Sequence, residues 1–163
     1  MSTAEEIFTR MTGNLDYPMF VVTVIAGNER AGCLVGFASQ CSINPPRFIV
    51  CLSDKNHTTR VAASASALAV HFLPAAAFVL ARLFGSETGD DVDKFSRCRW
   101  HAGPGGLPIL DEGGRWFAGT IIERHTVGDH VAYVLQPFAA SDDGNLASLR
   151  FSQAKELKPG HEA

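Results

Sequence analysis

The chain of 163 residues has a mass of 17.5 kDa and a formal net charge of −3, a size typical of one domain whose buried core needs no disulfide or metal. Its 14 lysines and arginines, against 17 aspartates and glutamates, leave no positive excess to neutralise a nucleic-acid backbone or an anionic membrane. We therefore predict a single domain over residues 1–163, with neither nucleic acid nor membrane as a partner.

The N-terminal segment and the cysteines indicate a reduced, intracellular protein. The stretch MSTAEEIFTRMTGN carries two glutamates and lacks the apolar core of a signal peptide. No later segment stays apolar for the roughly 18 residues of a spanning helix, so we expect a cytoplasmic location. The cysteines form no CxxC pair, which argues against disulfides and a zinc site; they are Cys33, Cys41, Cys51 and Cys98.

The first third of the chain predicts a capped helix followed by strands. Thr3 and Glu6 have the spacing of a capping box at the start of a helix. Two apolar, β-branched runs then flank a polar turn at 27–30, as in a β-hairpin. The rigid Asn44-Pro45-Pro46 turn leads into a further strand. The predicted elements are a helix at 3–11 and strands at 19–26, 31–38 and 47–53.

The rest of the chain mixes short helices with strands. Predicted helices cover 58–66 and 74–84, one or two helical turns lie at 90–96, and strands cover 67–73, 115–124, 130–140 and 151–157. Gly85 is expected to cap the helix at 74–84, and Gly128 suits a tight reversal at 126–129. The glycine- and proline-rich stretch 101–108 predicts an ordered loop, and the polar tail beyond Pro159 is expected to be loose.

These elements indicate a mainly β, α+β fold. Mainly antiparallel strands with inserted helices are typical of that class. Closing the sheet into a barrel would also remove its exposed edges. From the elements alone we therefore expect an α+β architecture, a mainly antiparallel sheet with short inserted helices.

The segment from Ser53 to Thr58 has the features of an anion site. It joins the end of a strand to the start of a helix, where unpaired backbone N–H groups and the helix dipole attract anions. Lys55 adds a mobile positive charge, and Ser53 and Asn56 can donate hydrogen bonds. These residues suit a phosphate monoester, although a cap by Asn56 or Thr58 beside a solvated lysine would explain them as well.

Several motifs, taken in order, resemble the flavin reductase family of the FMN-binding split-barrel fold. The resemblance runs from about Tyr17 to Leu157. GCLVGFASQCSINPPRFIVCLS is similar to the family's small-and-hydroxyl segment, double proline and apolar strand, and KNHT fits its phosphate motif. The later matches are ALAVHFL, ARLFG, GPGGLPIL and VGDHVAYVLQ, the last with the glycine, aspartate, histidine turn.

The resemblance implies an antiparallel split β-barrel that forms a homodimer and binds FMN, or FAD, near the subunit interface. Along the isoalloxazine ring and ribityl chain it places Gly36, Phe37, Ala38 and Ser39. Around the phosphate it places Ser53, Lys55, Asn56, His57 and Thr58. His130 matches the family position beside the nicotinamide, where it would position NAD(P)H for hydride transfer to the flavin.

A few positions depart from the family pattern. Leu34, Gly36 and Phe37 stand where members often carry serine or threonine, which leaves FMN, FAD and riboflavin as alternatives. His71 stands where members usually carry asparagine, and we interpret it as a structural histidine whose hydrogen bonds are satisfied.

Other chemistries have no sequence support. The acidic stretch around Asp90, Asp91 and Asp93 lacks the spacing and glycine of an EF-hand loop, so we expect a solvated acidic face and no metal. There is no GxSxG elbow for acyl transfer and no GxGxxG turn for a Rossmann site.

Three functional hypotheses remain. The first is an NAD(P)H-dependent flavin reductase. In one version of this hypothesis, the protein is the reductase component of a two-component monooxygenase. The second is an oxidoreductase that keeps its flavin and reduces another acceptor. The third is a non-catalytic split-barrel binder of flavin, deazaflavin or haem, and His71 would be the residue to watch for haem.

Overall fold

The computed structural model describes residues 1–89, 91–143 and 147–158. Its strands are β1 (Phe20–Ala26), β2 (Glu29–Val35), β3 (Ala38–Ser42), β4 (Arg47–Ser53), β5 (Ala67–Phe72), β6 (Trp100–Ala102), β7 (Pro108–Leu110), β8 (Arg115–Val127) and β9 (His130–Ser141). Its helices are α1 (Ala4–Thr12), α2 (His57–Ala62), α3 (Phe78–Ser86) and α4 (Phe151–Ala154), with 3-10 turns at Lys94–Ser96 and Pro104–Gly106. The tail predicted to be loose, and Asp90 of the acidic stretch, lie outside the described residues.

Seven of the strands form one antiparallel sheet in the order β2-β1-β5-β8-β9-β4-β3, and β6 and β7 form a separate hairpin. β2, at one end of this order, also contacts β4, near the other end. The sheet therefore curls back on itself. This arrangement confirms the predicted fold class, a mainly antiparallel sheet with short inserted helices.

The core lies on both faces of the curled sheet. Val22 of β1 and Leu52 of β4 belong to one cluster inside the curl. Val21 of β1 and Phe84 of α3 belong to a second cluster outside it. Neighbouring residues of a strand point to opposite faces, so β1 is buried on both sides. This accounts for its continuous apolar run.

Several sequence predictions are confirmed. The Thr3 side chain accepts a hydrogen bond from the Glu6 backbone N–H, and the Glu6 carboxylate accepts one from Thr3, which completes the capping box of α1. β4 has the predicted bounds. Gly128, at φ 73°, provides the reversal between β8 and β9, because only glycine adopts this region without strain.

The prediction of one strand over 31–38 is wrong at residues 36 and 37. β2 ends at Val35, and β3 begins at Ala38. The chain breaks at Gly36 and Phe37, and the Phe37 side chain is exposed. Sequence periodicity alone did not reveal this break, because the apolar run continues across it.

The predicted helices 58–66 and 74–84 are shifted or shortened. α2 ends at Ala62, because the Ser66 carbonyl already accepts a strand hydrogen bond from Ile121. α3 begins only at Phe78, because Pro74 bridges to Ser148. Gly85 lies inside α3 and does not cap it; a Cβ there would come within 2.7 Å of the Leu34 side chain, so this glycine permits close packing on β2.

The prediction of a strand over 151–157 is wrong. Residues Phe151–Ala154 form α4, and the Gln153 side chain accepts a hydrogen bond from the Arg150 backbone N–H at its start. Phe151 and Ala154 are three residues apart, which is helical spacing. The loop predicted at 101–108 is also partly wrong, since β6 and β7 pair across it.

His71 crosslinks three strands from inside the protein. It is fully buried on β5; its Nδ1 lies 3.1 Å from the Val21 carbonyl of β1, and its Nε2 accepts the Leu110 N–H of β7 at 3.1 Å. Because Leu110 donates to Nε2, the proton of the neutral ring is on Nδ1. Burial lowers the pKa of His71 to about 4. His71 is thus a structural histidine with both ring nitrogens satisfied, as predicted.

We expect the stability of the protein to fall in acid through His71. The folded-state pKa of about 4 lies below the ordinary value of 6.5, so the unfolded chain binds more protons between these pH values. The His71 contribution is complete above pH 6.5 and is lost as the pH falls towards 4, at a cost of roughly 3 kcal/mol. Urea unfolding at pH 7.0, 5.5 and 4.5 measures this loss.

Variants isolate the His71 contribution. His71→Leu should be less stable at pH 7.0 but should lose less stability than the wild type on acidification; His71→Gln replaces it if the leucine variant does not fold. His125→Asn, which alters an exposed histidine paired with Glu123, is the control and should keep the wild-type slope. An unchanged slope in the His71 variants would contradict the assignment.

Candidate functional site

A cleft of about 360 Å³ lies where the ends of β2 and β4 meet the β8–β9 turn and α4. We call it the β2–β4 cleft. Leu34, Val35, Gly36 and Phe37 form the β2 side, and Cys51, Leu52, Ser53 and Asn56 form the β4 side. The other lining residues are Asp129 and His130 of the β8–β9 turn, together with Tyr17, Met19, Cys33 and Phe151. The cleft is therefore mostly apolar, with a few polar groups, as is usual for small-molecule sites.

The cleft brings together five of the ten predicted site residues. Gly36, Phe37, Ser53, Asn56 and His130 line it, although the sequence separates them widely. The strand pairing explains part of this, because Ser53 of β4 lies opposite His130 of β9. The predicted site residues that do not line it are Ala38, Ser39, Lys55, His57 and Thr58.

The turn from Ser53 to Asn56 is anchored by its own hydrogen bonds. The Asn56 backbone N–H donates to the Ser53 carbonyl at 3.0 Å, and the Asn56 side chain accepts the Thr58 N–H at 2.9 Å. The Asp54 N–H donates to the Asp129 carbonyl at 3.0 Å, which ties this turn to the β8–β9 turn. Asn56 is therefore the N-cap of α2 and also faces the cleft.

Lys55 and Thr58 flank this turn in different ways. Lys55 is exposed, and its charge contributes to a lowered pKa of Asp129, whose main cause is the hydrogen bond from His130. Lys55 is not among the residues that line the cleft. Thr58 is only 1% exposed, and its Oγ1 finds no hydrogen-bond partner among the described residues.

His57 faces away from the β2–β4 cleft. Its Nε2 lies 3.2 Å from the Glu29 carboxylate, and its Nδ1 lies 3.3 Å from an Arg60 guanidinium nitrogen. It lines a second cleft of about 340 Å³ between the start of β2 and residues 89–95, residue 90 excepted. Neighbouring residues Asn56 and His57 thus serve two different clefts.

The aspartate–histidine pair is the most polar group in the β2–β4 cleft. His130 Nδ1 lies 2.7 Å from Asp129 Oδ1, and the hydrogen bond keeps the pKa of Asp129 below its ordinary value. The His130 ring also contacts the Phe37 ring, with centroids 5.2 Å apart. Asp129 and Phe37 together hold the imidazole at the cleft, and Nε2 is the ring nitrogen left to meet a ligand.

Three residues from the ends of the chain were missed by the sequence analysis. Tyr17, Met19 and Phe151 line the cleft, and the rings of Tyr17 and Phe151 stack with centroids 4.8 Å apart and an interplanar angle of 15°. No local motif marks them. Their only sequence signal is that two aromatic residues, Tyr17 and Phe151, lie near opposite ends of the region that resembles the family.

Lys94 was also missed. It is buried, and its ammonium group donates to the carbonyls of Gly32 at 3.0 Å and Phe84 at 3.2 Å. Burial lowers the pKa of Lys94. A buried cation bonded to two carbonyls joins residues 93–95 to β2 and α3, and so fixes one side of the second cleft.

The described ranges contain neither a cluster of metal-ligating side chains nor a membrane-spanning helix. No group of three or more histidine, cysteine, aspartate or glutamate side chains is arranged there to hold a metal ion. None of the helices in that part of the chain is long and apolar enough to cross a membrane. The cysteines are free thiols; burial raises the pKa of Cys33 and that of Cys51, both of which line the β2–β4 cleft.

The comparisons with known proteins agree on one family. The profile described as "Flavin reductase like domain" matches residues 12–155. The chain is similar to a Rhizobium meliloti protein named "Probable flavin reductase", with 26% identity over 151 residues, covering 85% of this chain and 44% of that protein. It is also similar to the Salmonella typhimurium "4-hydroxyphenylacetate 3-monooxygenase reductase component", with 27% identity over 130 residues and 76% of each chain covered.

Among solved structures, the chain resembles an FMN-binding protein from Thermus thermophilus. The TM-score is 0.75 at 27% identity, covering 80% of this chain and 72% of that one. The chain spans less than half of the length of the Rhizobium protein.

Proposed function

The chain belongs to the flavin reductase like domain family, and on this premise we propose that it transfers a hydride from NAD(P)H to FMN or FAD. The observation that carries the proposal is the β2–β4 cleft. It gathers Gly36, Phe37, Ser53, Asn56 and His130, which the family resemblance assigns to flavin and nicotinamide. Residues 1–163 are proposed to act as one domain.

The character of the cleft fits a flavin. Leu34, Val35 and Met19 offer apolar surface to a planar ring, and Ser53 and Asn56 offer polar groups to a hydroxylated chain and its phosphate. Lys55, exposed beside this turn, supplies the positive charge that a phosphate needs. The proposal therefore places the ring towards β2 and the phosphate near the Ser53–Asn56 turn.

We propose supporting roles for four predicted residues that do not line the cleft. The His57 ring pairs with Glu29, and the Thr58 hydroxyl is buried, so we propose that these two residues support the phosphate turn from behind. Ser39 is exposed, and its hydroxyl donates to the Gln40 carbonyl. Ala38 is tied by its N–H to the Gly36 carbonyl. We propose that Ala38 and Ser39 flank the ribityl chain at the edge of the cleft.

When bound, the flavin supplies the redox chemistry, because its N5 accepts the hydride that leaves nicotinamide C4. The chain's own residues position the reactants. His130 presents a hydrogen-bonding ring nitrogen at the cleft, and Asp129 holds that ring by the 2.7 Å contact to Nδ1. The apolar walls around Leu52 and Val35 exclude water from the reacting atoms.

The haem alternative has less support. Both ring nitrogens of His71 are engaged by Val21 and Leu110, and the residue is fully buried away from the cleft lining. It would have to give up these bonds to ligate iron. A non-catalytic flavin binder remains the rival, and the placement of the Asp129–His130 pair beside the proposed flavin favours an enzyme.

We propose two partners. A second copy of the chain is supported by α1, which buries no residue and leaves Phe8 and Met11 each 65% exposed. A monooxygenase is supported by the name of the Salmonella relative, a reductase component. We also propose a cytoplasmic location, where NAD(P)H is available.

The function is tested by mixing the purified protein with FMN or FAD and then NADH or NADPH, and following absorbance at the nicotinamide band. Steady oxidation that depends on both protein and flavin is expected. Bound flavin without nicotinamide oxidation would favour a binding protein, and a Soret band in the purified protein would favour haem.

Lys55→Ala should weaken FMN binding by roughly five- to tenfold, because it removes a positive charge from the turn where we propose that the phosphate binds. The turnover rate at saturating FMN should stay within about twofold of the wild type, because Lys55 does not line the cleft. Fluorescence titration and steady-state kinetics measure the two effects. Lys158→Ala, another exposed lysine, is the matched control, and equal FMN affinity in both variants would remove Lys55 from the site.

His130→Ala should have the opposite profile. The kcat/KM for NAD(P)H should fall at least tenfold, because the group that positions the nicotinamide is lost, while the Kd for FMN changes less than about threefold. Asp129→Asn should cause a smaller loss, since the ring keeps a weaker partner. His125→Ala, on the exposed part of β8, is the control. A His130 variant with wild-type kcat/KM would refute the assignment.

A further inference from the structure

One wall of the β2–β4 cleft is made from the two ends of the chain. The rings of Tyr17 and Phe151 stack nearly in parallel, with centroids 4.8 Å apart, and both are only partly buried. Both line the cleft beside Met19. A stacked aromatic pair that stays partly open to a cleft presents apolar surface that a planar ligand can cover.

A network centred on Asp16 holds this wall in place. The Asp16 carboxylate accepts hydrogen bonds from Arg150 Nε at 3.1 Å and from the Ser152 backbone N–H at 2.9 Å. The Ser152 N–H is the main cause of the lowered pKa of Asp16. The Phe151 N–H also donates to the Tyr17 carbonyl at 2.8 Å. The two rings are therefore fixed to each other through the backbone on either side of them.

Gly36 shows how closely this wall approaches β2. A Cβ at position 36 would lie 2.5 Å from Cε2 of Tyr17, which is closer than real Cβ atoms come. Tyr17 therefore rests on the backbone at Gly36. The lack of a side chain at position 36 therefore makes room for the aromatic wall.

We propose that Tyr17 and Phe151 form an aromatic platform that packs against the isoalloxazine ring of the flavin. This inference rests on the proposed function. Tyr17 lies against Gly36, beside the apolar surface of Met19 and Leu34, and this part of the cleft suits a three-ring system. The polar groups Ser53 and Asn56 lie on β4 and the turn after it, and Asp129 and His130 on the β8–β9 turn. The ring, and not the phosphate or the nicotinamide, is thus the moiety that the platform binds.

The test compares FMN with riboflavin, which has the same ring and no phosphate. Phe151→Leu keeps apolar volume but removes the aromatic face, and it should weaken both ligands by the same factor, roughly tenfold. Phe151→Tyr should bind both like the wild type, because the ring is kept. Lys55→Ala should weaken FMN alone. Phe138→Leu, an exposed phenylalanine of β9 outside the cleft lining, is the control and should change neither affinity.

The outcomes distinguish failure of the platform from failure of the proposed function. Wild-type riboflavin affinity in Phe151→Leu, or a loss confined to FMN or to the KM for NAD(P)H, overturns the platform. If Phe151→Leu does not fold, Tyr17→Leu takes its place with the same expectation. A wild-type chain that binds neither FMN nor riboflavin overturns the proposed function together with the platform, whereas binding of both with unchanged variants overturns the platform alone.

Discussion

The curling of the seven-stranded sheet is the constraint on which the rest of this protein depends. Val22 of β1 and Leu52 of β4 share one buried cluster, although β5, β8 and β9 stand between their strands in the sheet. Burial of apolar side chains from both strands in one core requires the sheet to curl. The curl brings β2 beside β4, and the β2–β4 cleft is the space between their ends.

Apolar burial makes the sheet curl, and the polar interactions of the fold then stabilise the curled sheet. His71 ties β1 and the β7 strand to β5 with both of its ring nitrogens, and Lys94 ties residues 93–95 to the edge of β2. Each is a buried titratable group whose hydrogen bonds offset the loss of hydration. Around the cleft, the polar groups are few and placed at turns, which leaves apolar walls for a planar ligand.

Secondary structure was predictable where a local signal dominates. The capping box of α1, the Gly128 turn and the bounds of β4 are such cases. The predictions failed where a distant contact decided the outcome. Residues 151–157 were predicted to be a strand but form α4, and the chain there is fixed by hydrogen bonds from Phe151 to Tyr17 and from Ser152 to Asp16.

By itself, the sequence determined the family and the mainly antiparallel class, because motifs and apolar periodicity are local properties of the chain. Five of the ten site residues that it predicted line the cleft, and they are five of the fourteen lining residues. Only the tertiary structure decided that His57 turns to Glu29 while Asn56 faces the cleft, since neighbouring residues in a turn can point either way. Only the tertiary structure also showed that the rings of Tyr17 and Phe151 stack. Contacts between the two ends of a chain depend on how the sheet curls, and no short-range pattern encodes them.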